Sequence, residues 1–278
     1  MKEDFRQYWF QTSEVVLNCV EGPAAGPPML FLHRLCDRWQ WLLPVIDHVS
    51  RYTHVHAFDI RGHGRSSRTK GAYLPDDYGR DAEAFLCDRL AQPAIIFGHS
   101  AGGLVALWCA AAYPDKVRAV VNGDLFGSTQ RLAALIERPE SVSFYKALQS
   151  LAGQPQDRIA ASPLASRMPR DTLASWSIST SLLDPSTLSY YVSGEGEAYV
   201  AELDMDEILA AVTCPVLLVT GDPSRGGVMT EEDVGYACDR LTDARHVQLK
   251  GVGHGLGLST ARPGPLLQEI VGFIESLQ

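Results

Sequence analysis

The stretch "PAIIFGHSAGGL", residues 93–104, places a serine inside a G-x-S-x-G motif between two apolar segments. The residues before the motif form a short apolar run typical of a buried strand, and those after it continue as an apolar helix. Gly98 and Gly102 leave room for a tight turn with Ser100 at its tip. A turn that only joins a strand to a helix would share the glycines, but the flanking elements favour a nucleophilic serine.

Apolar strands alternate with helical segments on both sides of this turn. Upstream, the sequence predicts strands at 14–20, 28–33 and 54–60 and helices at 39–50 and 76–91. Downstream, it predicts strands at 117–124, 214–221 and 244–251 and helices at 230–241 and 264–277. This β-α-β alternation indicates the α/β fold class, with a mostly parallel twisted sheet flanked by helices on both faces.

Residues 125–205 interrupt the alternation. This segment holds helical pieces separated by prolines such as Pro139 and Pro185, and it contains no apolar strand run. Because strands of the same kind precede and follow it, we interpret 1–124 and 206–278 as one core domain. The segment 125–205 is then a helical cap inserted into that core.

The composition argues against several classes of function. A formal net charge of −9 without any Lys/Arg run disfavours a nucleic-acid partner. No stretch reaches the roughly 20 apolar residues that cross a bilayer, and the start "MKEDFRQYWF" is unlike a secretory signal. Six widely spaced cysteines without a C-x-x-C pair are typical of free thiols in a cytoplasmic protein. We expect a monomer or homodimer. The eight histidines form no helical H-x-x-x-H pair, and we expect no metal.

Several motifs in a fixed order make the chain resemble the α/β-hydrolase fold family. They are "PPMLFLHRLCDRWQW" (27–41), "FDIRGHGRSS" (58–67), "FGHSAGG" (97–103), "CPVLLVTGD" (214–222) and "KGVGHG" (250–255). The resemblance covers nearly the whole chain and implies that Ser100 is the nucleophile and His254 the general base. A base is needed because a serine hydroxyl is a poor nucleophile until its proton is removed. We interpret His33, His63 and His99 as structural or as supports for the site residues.

The carboxylate that orients His254 has two candidates. Relatives usually supply it three residues after the glycine of the "PVLLVTG" strand, where this chain has Ser224. Asp222 lies nearby, but it could instead cap that turn. Other members, including certain haloalkane dehalogenases and lactonases, take the acid from the strand that follows the nucleophile helix. Asp124 holds that position, and we prefer it, since the order of triad residues varies while their geometry persists.

Two backbone N–H groups are expected to form an oxyanion hole. One belongs to Ala101, directly after the nucleophile, and the resemblance implies a second in the loop after strand 28–33, where Leu35 is our candidate. Arg34 stands where relatives usually have glycine. It would strain the loop if this position needs a positive φ. Alternatively, its guanidinium binds an anionic group of the substrate, or it simply faces solvent.

A serine at the turn suits attack on a carbonyl carbon and hydrolysis of an ester or lactone through an acyl-enzyme. Haloalkane dehalogenases and epoxide hydrolases of this family use a carboxylate there, and Ala101 replaces the tryptophan of a halide site. We therefore expect a small to medium, largely apolar ester or lactone as substrate, and no cofactor. C–C bond hydrolysis, cofactor-free haloperoxidase chemistry and a non-hydrolytic cyclase or ligand-binding role remain open, because they use or retain the same residues.

Specificity is expected to depend on the cap and on the loop after strand 28–33. Aromatic side chains there would supply an apolar wall for the substrate. The candidates for substrate contact are Arg34, Trp39, Phe144, Tyr145 and Trp176, with a core position as the equal alternative for Trp39.

Overall fold

The computed structural model describes residues 4–168, 170–258 and 264–277, and eight strands form one sheet within them. The strands are β1 (Arg6–Gln11), β2 (Val16–Ala24), β3 (Pro28–Leu32), β4 (His54–Phe58), β5 (Ala94–His99), β6 (Val117–Gly123), β7 (Val216–Gly221) and β8 (Ala244–Leu249). Their order across the sheet is β1-β2-β4-β3-β5-β6-β7-β8. The pairs β1–β2 and β2–β4 are antiparallel and all others parallel. The predicted α/β class and mostly parallel sheet are confirmed.

Helices cover the sheet and fill the segment between β6 and β7. They are α1 (Leu43–Val49), α2 (Pro75–Arg89), α3 (Ala101–Ala112), α4 (Thr129–Glu137), α5 (Pro139–Leu151), α6 (Gln156–Ala160), α7 (Leu173–Ser181), α8 (Ser189–Ser193), α9 (Gly196–Tyr199), α10 (Met205–Ala211), α11 (Glu231–Cys238) and α12 (Gly264–Ser276). In the described part of the chain, no strand lies between β6 and β7. α10 packs against α3 of the core. The division into core and cap remains our proposal.

Alternating side chains of the central strands pack into two separate hydrophobic cores, one on each face of the sheet. In β3, Leu30 and Leu32 join the core that lies under α2 and α3, whereas Met29 and Phe31 join the core under α1 and α12. All four side chains are fully buried. This is the pattern of a parallel sheet covered on both faces, and it explains why the strands are continuous apolar runs.

Two local features differ from the sequence prediction. The sequence does not predict β1, because its side chains alternate between exposed and half-buried at the edge of the sheet and form no apolar run. The predicted helix 39–50 is a 3-10 turn over Trp39–Leu42 followed by α1. None of the helices among the described residues has both the length and the apolar character required to span a membrane.

The candidate site residues lie at the carboxyl ends of the parallel strands. β5, β6, β7 and β8 are neighbouring parallel strands, so their carboxyl ends point the same way. Ser100, Asp124 and Asp222 directly follow β5, β6 and β7, and His254 lies five residues after Leu249, the end of β8. In open α/β sheets, ligands bind at the carboxyl ends of the strands.

Candidate active site

Ser100 lies on a strained turn between β5 and α3. Its backbone has φ +54° and ψ −120°, a conformation that non-glycine residues rarely adopt. The Ser100 N–H donates to the carbonyl of Gly123 at 2.7 Å, which ties the turn to β6. A Cβ on Gly98 would lie 2.1 Å from the Gly102 oxygen, and a Cβ on Gly102 would lie 2.4 Å from the Leu32 oxygen. Both positions therefore require glycine, and the motif holds the serine at the tip of the turn.

Asp124 is hydrogen-bonded to the imidazole of His254. Asp124 Oδ2 lies 2.8 Å from His254 Nδ1, and the carboxylate has no exposed surface. The same carboxylate accepts backbone N–H groups from Gly221 at 3.1 Å and Val228 at 2.9 Å. These bonds fix its orientation. An ionised carboxylate only accepts, so Nδ1 carries the hydrogen and Nε2 is left as the basic nitrogen.

Asp222 has a different task. It accepts the backbone N–H of Ser224 at 2.9 Å and that of Gly251 at 2.9 Å. The hydrogen bond from the Ser224 hydroxyl, followed by those from the two backbone groups, lowers the pKa of the Asp222 carboxyl. Among the described residues it makes no hydrogen bond to His254. The structure thus brings Asp124, and not Asp222, to the imidazole.

Ser100 and His254 line the same cavity. Within the described ranges, no hydrogen bond joins the Ser100 hydroxyl to the His254 ring. In enzymes without bound substrate, such contacts are often long and shorten only when the substrate binds. The two side chains therefore share a space that a carbonyl group could enter.

His99 supports His254 through the backbone. Its Nε2–H donates to the carbonyl oxygen of His254 at 2.6 Å, and the two ring centroids lie 5.1 Å apart. Burial holds the pKa of His99 well below its usual range, and the positive charge that His254 can carry is the second largest cause. The His99 ring is therefore neutral near pH 7 and acts as a fixed donor.

His33 orients the loop that follows β3. Its Nδ1–H donates to the carbonyl of Arg34 at 2.7 Å, and its Nε2 accepts the N–H of Ile60 at 3.0 Å. The C=O and N–H of a trans peptide point in opposite directions, so the Leu35 N–H points away from His33. Leu35 and Ala101 both line the cavity beside the turn. In the described part of the chain, neither N–H has an acceptor.

Arg34 is not strained. The residue of this loop with a positive φ is Cys36, at 69°, so the expectation that Arg34 could strain the loop is wrong. The Arg34 Nε donates to Asp37 at 2.6 Å, and its guanidinium lies 4.7 Å from the centre of the Trp41 ring. The residue lines the cavity as an ion pair, with its charge balanced by Asp37.

Trp39 does not reach the cavity. Its side chain is 1% exposed and belongs to the core under α1 and α12. Its backbone N–H donates to Asp59 at 2.9 Å. The prediction that Trp39 contacts substrate is therefore wrong. Trp41, two residues later in the 3-10 turn, lines the cavity instead.

The cavity has two chambers that meet at Ser100. The tyrosine chamber has a volume of about 200 Å³, and its walls include Leu104, Leu132, Ile136, Tyr145, Tyr191 and Tyr199. The tryptophan chamber has a volume of about 380 Å³, and its walls include Trp41, Phe144, Tyr145, Leu148, Met168 and Trp176. Leu35, Ser100, Tyr145 and His254 line both chambers. The predicted contact residues Phe144, Tyr145 and Trp176 thus face this space.

Comparison with known proteins identifies the family. The α/β hydrolase fold model matches residues 27–259. The chain is 35% identical over 127 residues to 2-(acetamidomethylene)succinate hydrolase of Mesorhizobium japonicum, a match that covers 45% of each protein and so less than half of that relative. It is 27% identical over 282 aligned positions to fluoroacetate dehalogenase of a Burkholderia species, covering 91% of this chain and 89% of the relative.

A solved structure agrees with these matches. The crystal structure of E-2-(acetamidomethylene)succinate hydrolase superposes with a TM-score of 0.75 over 98% of this chain and 99% of that one, at 24% identity. At this identity the likeness shows the fold. The family match covers most of the sequence, and the relatives are hydrolases. The chain belongs to the α/β-hydrolase fold family.

Proposed function

We propose that the chain is a serine hydrolase that cleaves a carboxylic ester or lactone of a small to medium, largely apolar substrate. The observation that carries this proposal is the Asp124 carboxylate 2.8 Å from His254 Nδ1, with His254 and Ser100 lining one cavity. A carboxylate, an imidazole and a hydroxyl in this order activate a serine for attack on a carbonyl carbon.

The reaction has two halves. Ser100 Oγ attacks the carbonyl carbon while His254 Nε2 takes its proton, and Asp124 stabilises the imidazolium. The carbonyl oxygen becomes negatively charged and accepts the N–H groups of Leu35 and Ala101. The C–O bond to the alcohol then breaks, and His254 protonates the leaving oxygen. Water attacks the acyl-enzyme in the same way, releases the acid and restores the Ser100 hydroxyl.

Two chambers at one serine suit a substrate with a substituent on each side of the scissile bond. We propose that helices of 125–205 act as the cap that closes both chambers, since Tyr145 and Trp176 belong to α5 and α7. The aromatic and aliphatic walls favour apolar groups. The family relationship to a dehalogenase does not change this proposal, because Ser100 and Ala101 replace the residues expected for halide chemistry.

The charges of the two chambers differ. In the tryptophan chamber the Arg34 charge is balanced by Asp37. Among the residues that the structure describes, Arg138 lines the tyrosine chamber without an ion-pair partner, and no Asp or Glu lines that chamber. We therefore propose that a substituent ending in a carboxylate is accepted in the tyrosine chamber, next to Arg138.

A panel of activated esters and lactones with graded acyl length tests the proposal. We expect turnover by the wild type that is abolished in Ser100→Ala, which removes only the hydroxyl. Arg138→Gln should lower kcat/KM about fivefold for ω-carboxylated esters, the size expected of an exposed ion pair, and leave neutral esters unchanged. No turnover of any ester or lactone, or equal turnover by Ser100→Ala, would contradict the proposed function.

A further inference from the structure

A second cluster of chemically competent side chains lies at the opposite end of the sheet. β3 and β4 are parallel with Pro28 level with His54, and Leu32 of β3 is level with Gly98 of β5. At about 3.3 Å per residue, the start of β4 is therefore roughly 13 Å along the strands from the turn that holds Ser100. Whatever binds at the start of β4 does not touch the candidate active site.

The strand geometry aims three side chains at one point. His54 and His56 are two residues apart on β4, so both project from the same face of the sheet. Glu21 of the antiparallel neighbour β2 pairs directly with His56. Ligand atoms of all three lie within 4.8 Å of one another, and His54 Nε2 is 3.0 Å from Glu21 Oε1. The two imidazole centroids are 4.2 Å apart.

His56 lacks partners that a buried imidazole needs. It is 1% exposed, and neither ring nitrogen has a hydrogen-bond partner among the described residues. A neutral imidazole nitrogen is the form in which histidine binds a metal. Two buried ring nitrogens without a partner call for an explanation, and a bound metal ion would satisfy one of them.

We propose that Glu21, His54 and His56 form a Zn²⁺ site. Two imidazoles and one carboxylate are a ligand set that suits this ion, with water as the fourth ligand. Zinc lies about 2.0–2.2 Å from its ligands, so a small rotation of these side chains closes the site. A cavity of about 300 Å³ lined by all three residues gives access for the ion and its water. As zinc binds, the proton on His54 Nε2 moves to Nδ1 by exchange with solvent.

The charged side chains around Glu21 decide which metal ions this site can bind. The guanidinium groups of Arg6 and Arg89 donate to Glu21 Oε2 at 2.7 Å and 2.9 Å. They leave Oε1 to face the imidazoles and hold the carboxylate in place, as outer-shell partners of metal ligands do. They also oppose a cation. This single carboxylate between two cations is a poor site for Ca²⁺ or Mg²⁺, which need several oxygen ligands, so binding depends on the imidazoles.

Calorimetric titration of zinc chloride into the intact, chelator-treated protein tests the proposal. We expect one Zn²⁺ per chain and no heat with Mg²⁺. His54→Gln and Glu21→Gln should each weaken binding at least about tenfold. Because Gln has the same shape as Glu, Glu21→Gln should fold like the wild type. Circular dichroism would distinguish a loss of zinc binding from a fold defect. His48→Gln, a histidine on α1, is the matched control and should bind like wild type.

Thermal unfolding tests whether zinc binds at the candidate active site instead. Zinc should raise the melting temperature of the wild type and of His254→Gln equally, since a ligand that binds the folded state stabilises it. Absence of zinc binding, or binding that survives Glu21→Gln and His54→Gln but is lost in His254→Gln, would overturn the proposal. None of these readouts depends on ester hydrolysis, so the proposed function can fail or hold independently.

Discussion

The neutral ring of His99 donates a hydrogen bond to the backbone carbonyl of His254, with 2.6 Å between Nε2 and the oxygen. His99 precedes Ser100 in the G-x-S-x-G motif, and 155 residues of sequence separate it from His254. One motif therefore supplies the hydroxyl and also holds the backbone that carries the imidazole. Positioning of the base is thereby built into the same turn as the serine.

The first prediction concerns His99 as a positioning residue. His99→Phe keeps a buried ring but removes the donor to His254, so the imidazole loses one fixed point. We expect kcat to fall about 10- to 100-fold, because small displacements of catalytic groups cause losses of this size. KM should stay within about twofold of the wild-type value. His99→Gln can still donate and should recover part of kcat. Equal kcat in His99→Phe and wild type would show that the contact does not position the base.

The second prediction separates the two carboxylates. Asp124→Asn disturbs the bond that fixes the tautomer of His254, and we expect kcat to fall by about 10⁴. Asp222→Asn should stay within about threefold of wild type, since the described hydrogen bonds of the Asp222 carboxylate go to the Ser224 turn and to Gly251. Steady-state kinetics on one activated ester compare the two variants. Similar losses, or a larger loss in Asp222→Asn, would remove Asp124 from the mechanism.

The third prediction concerns strain at Ser100. Its φ of +54° and ψ of −120° favour glycine, and such a residue stores about 1–3 kcal/mol. Ser100→Gly and Ser100→Ala both remove the hydroxyl, but only glycine relieves the strain. Allowing for the greater freedom of glycine in the unfolded chain, Ser100→Gly should be more stable than Ser100→Ala by about 1 kcal/mol in urea unfolding. If alanine were the more stable variant, the turn would not be strained.

The fourth prediction concerns acid stability. Burial lowers the pKa of His33 to about 4 and that of His63 to about 3, against 6.5 ordinarily. Between pH 6.5 and these values the unfolded chain binds protons that the folded chain excludes, so stability falls as pH falls through this window. Each group should cost about 2 kcal/mol of unfolding free energy at pH 5.

Urea unfolding at pH 7 and pH 5 measures this dependence. His33→Gln should show a shallower loss than wild type by the contribution of one group. His48→Gln, which removes a histidine without a buried ring, should follow the wild type. A wild-type free energy that stays constant or rises from pH 7 to pH 5 would contradict the buried neutral histidines.

Much of the fold could be predicted from local pattern. Continuous apolar runs identified the central strands because both faces of a parallel sheet are buried. The edge strand β1 could not be found in this way, since an edge with a half-exposed face has no apolar run. The position after β6 favours Asp124 over Asp222, and the structure places the Asp124 carboxylate at the imidazole. The catalytic role of Asp124 remains a prediction.

Other features depend on contacts that no local pattern encodes. Trp39 and Trp41 are both aromatic, and only the 3-10 turn decides which one faces the cavity. Helical H-x-x-x-H spacing does not reveal the candidate metal cluster, because "HVH" at 54–56 follows the two-residue period of a strand. The third member, Glu21, comes from a neighbouring strand whose register cannot be read from sequence.

The central claim is that the Ser100 hydroxyl is activated by His254. A fluorophosphonate probe followed by intact-mass spectrometry tests it most directly, because the probe reacts with an activated serine. We predict one adduct per chain in the wild type, none in Ser100→Ala, and much slower labelling in His254→Gln. An unlabelled wild type, or an adduct that persists in Ser100→Ala, would contradict it.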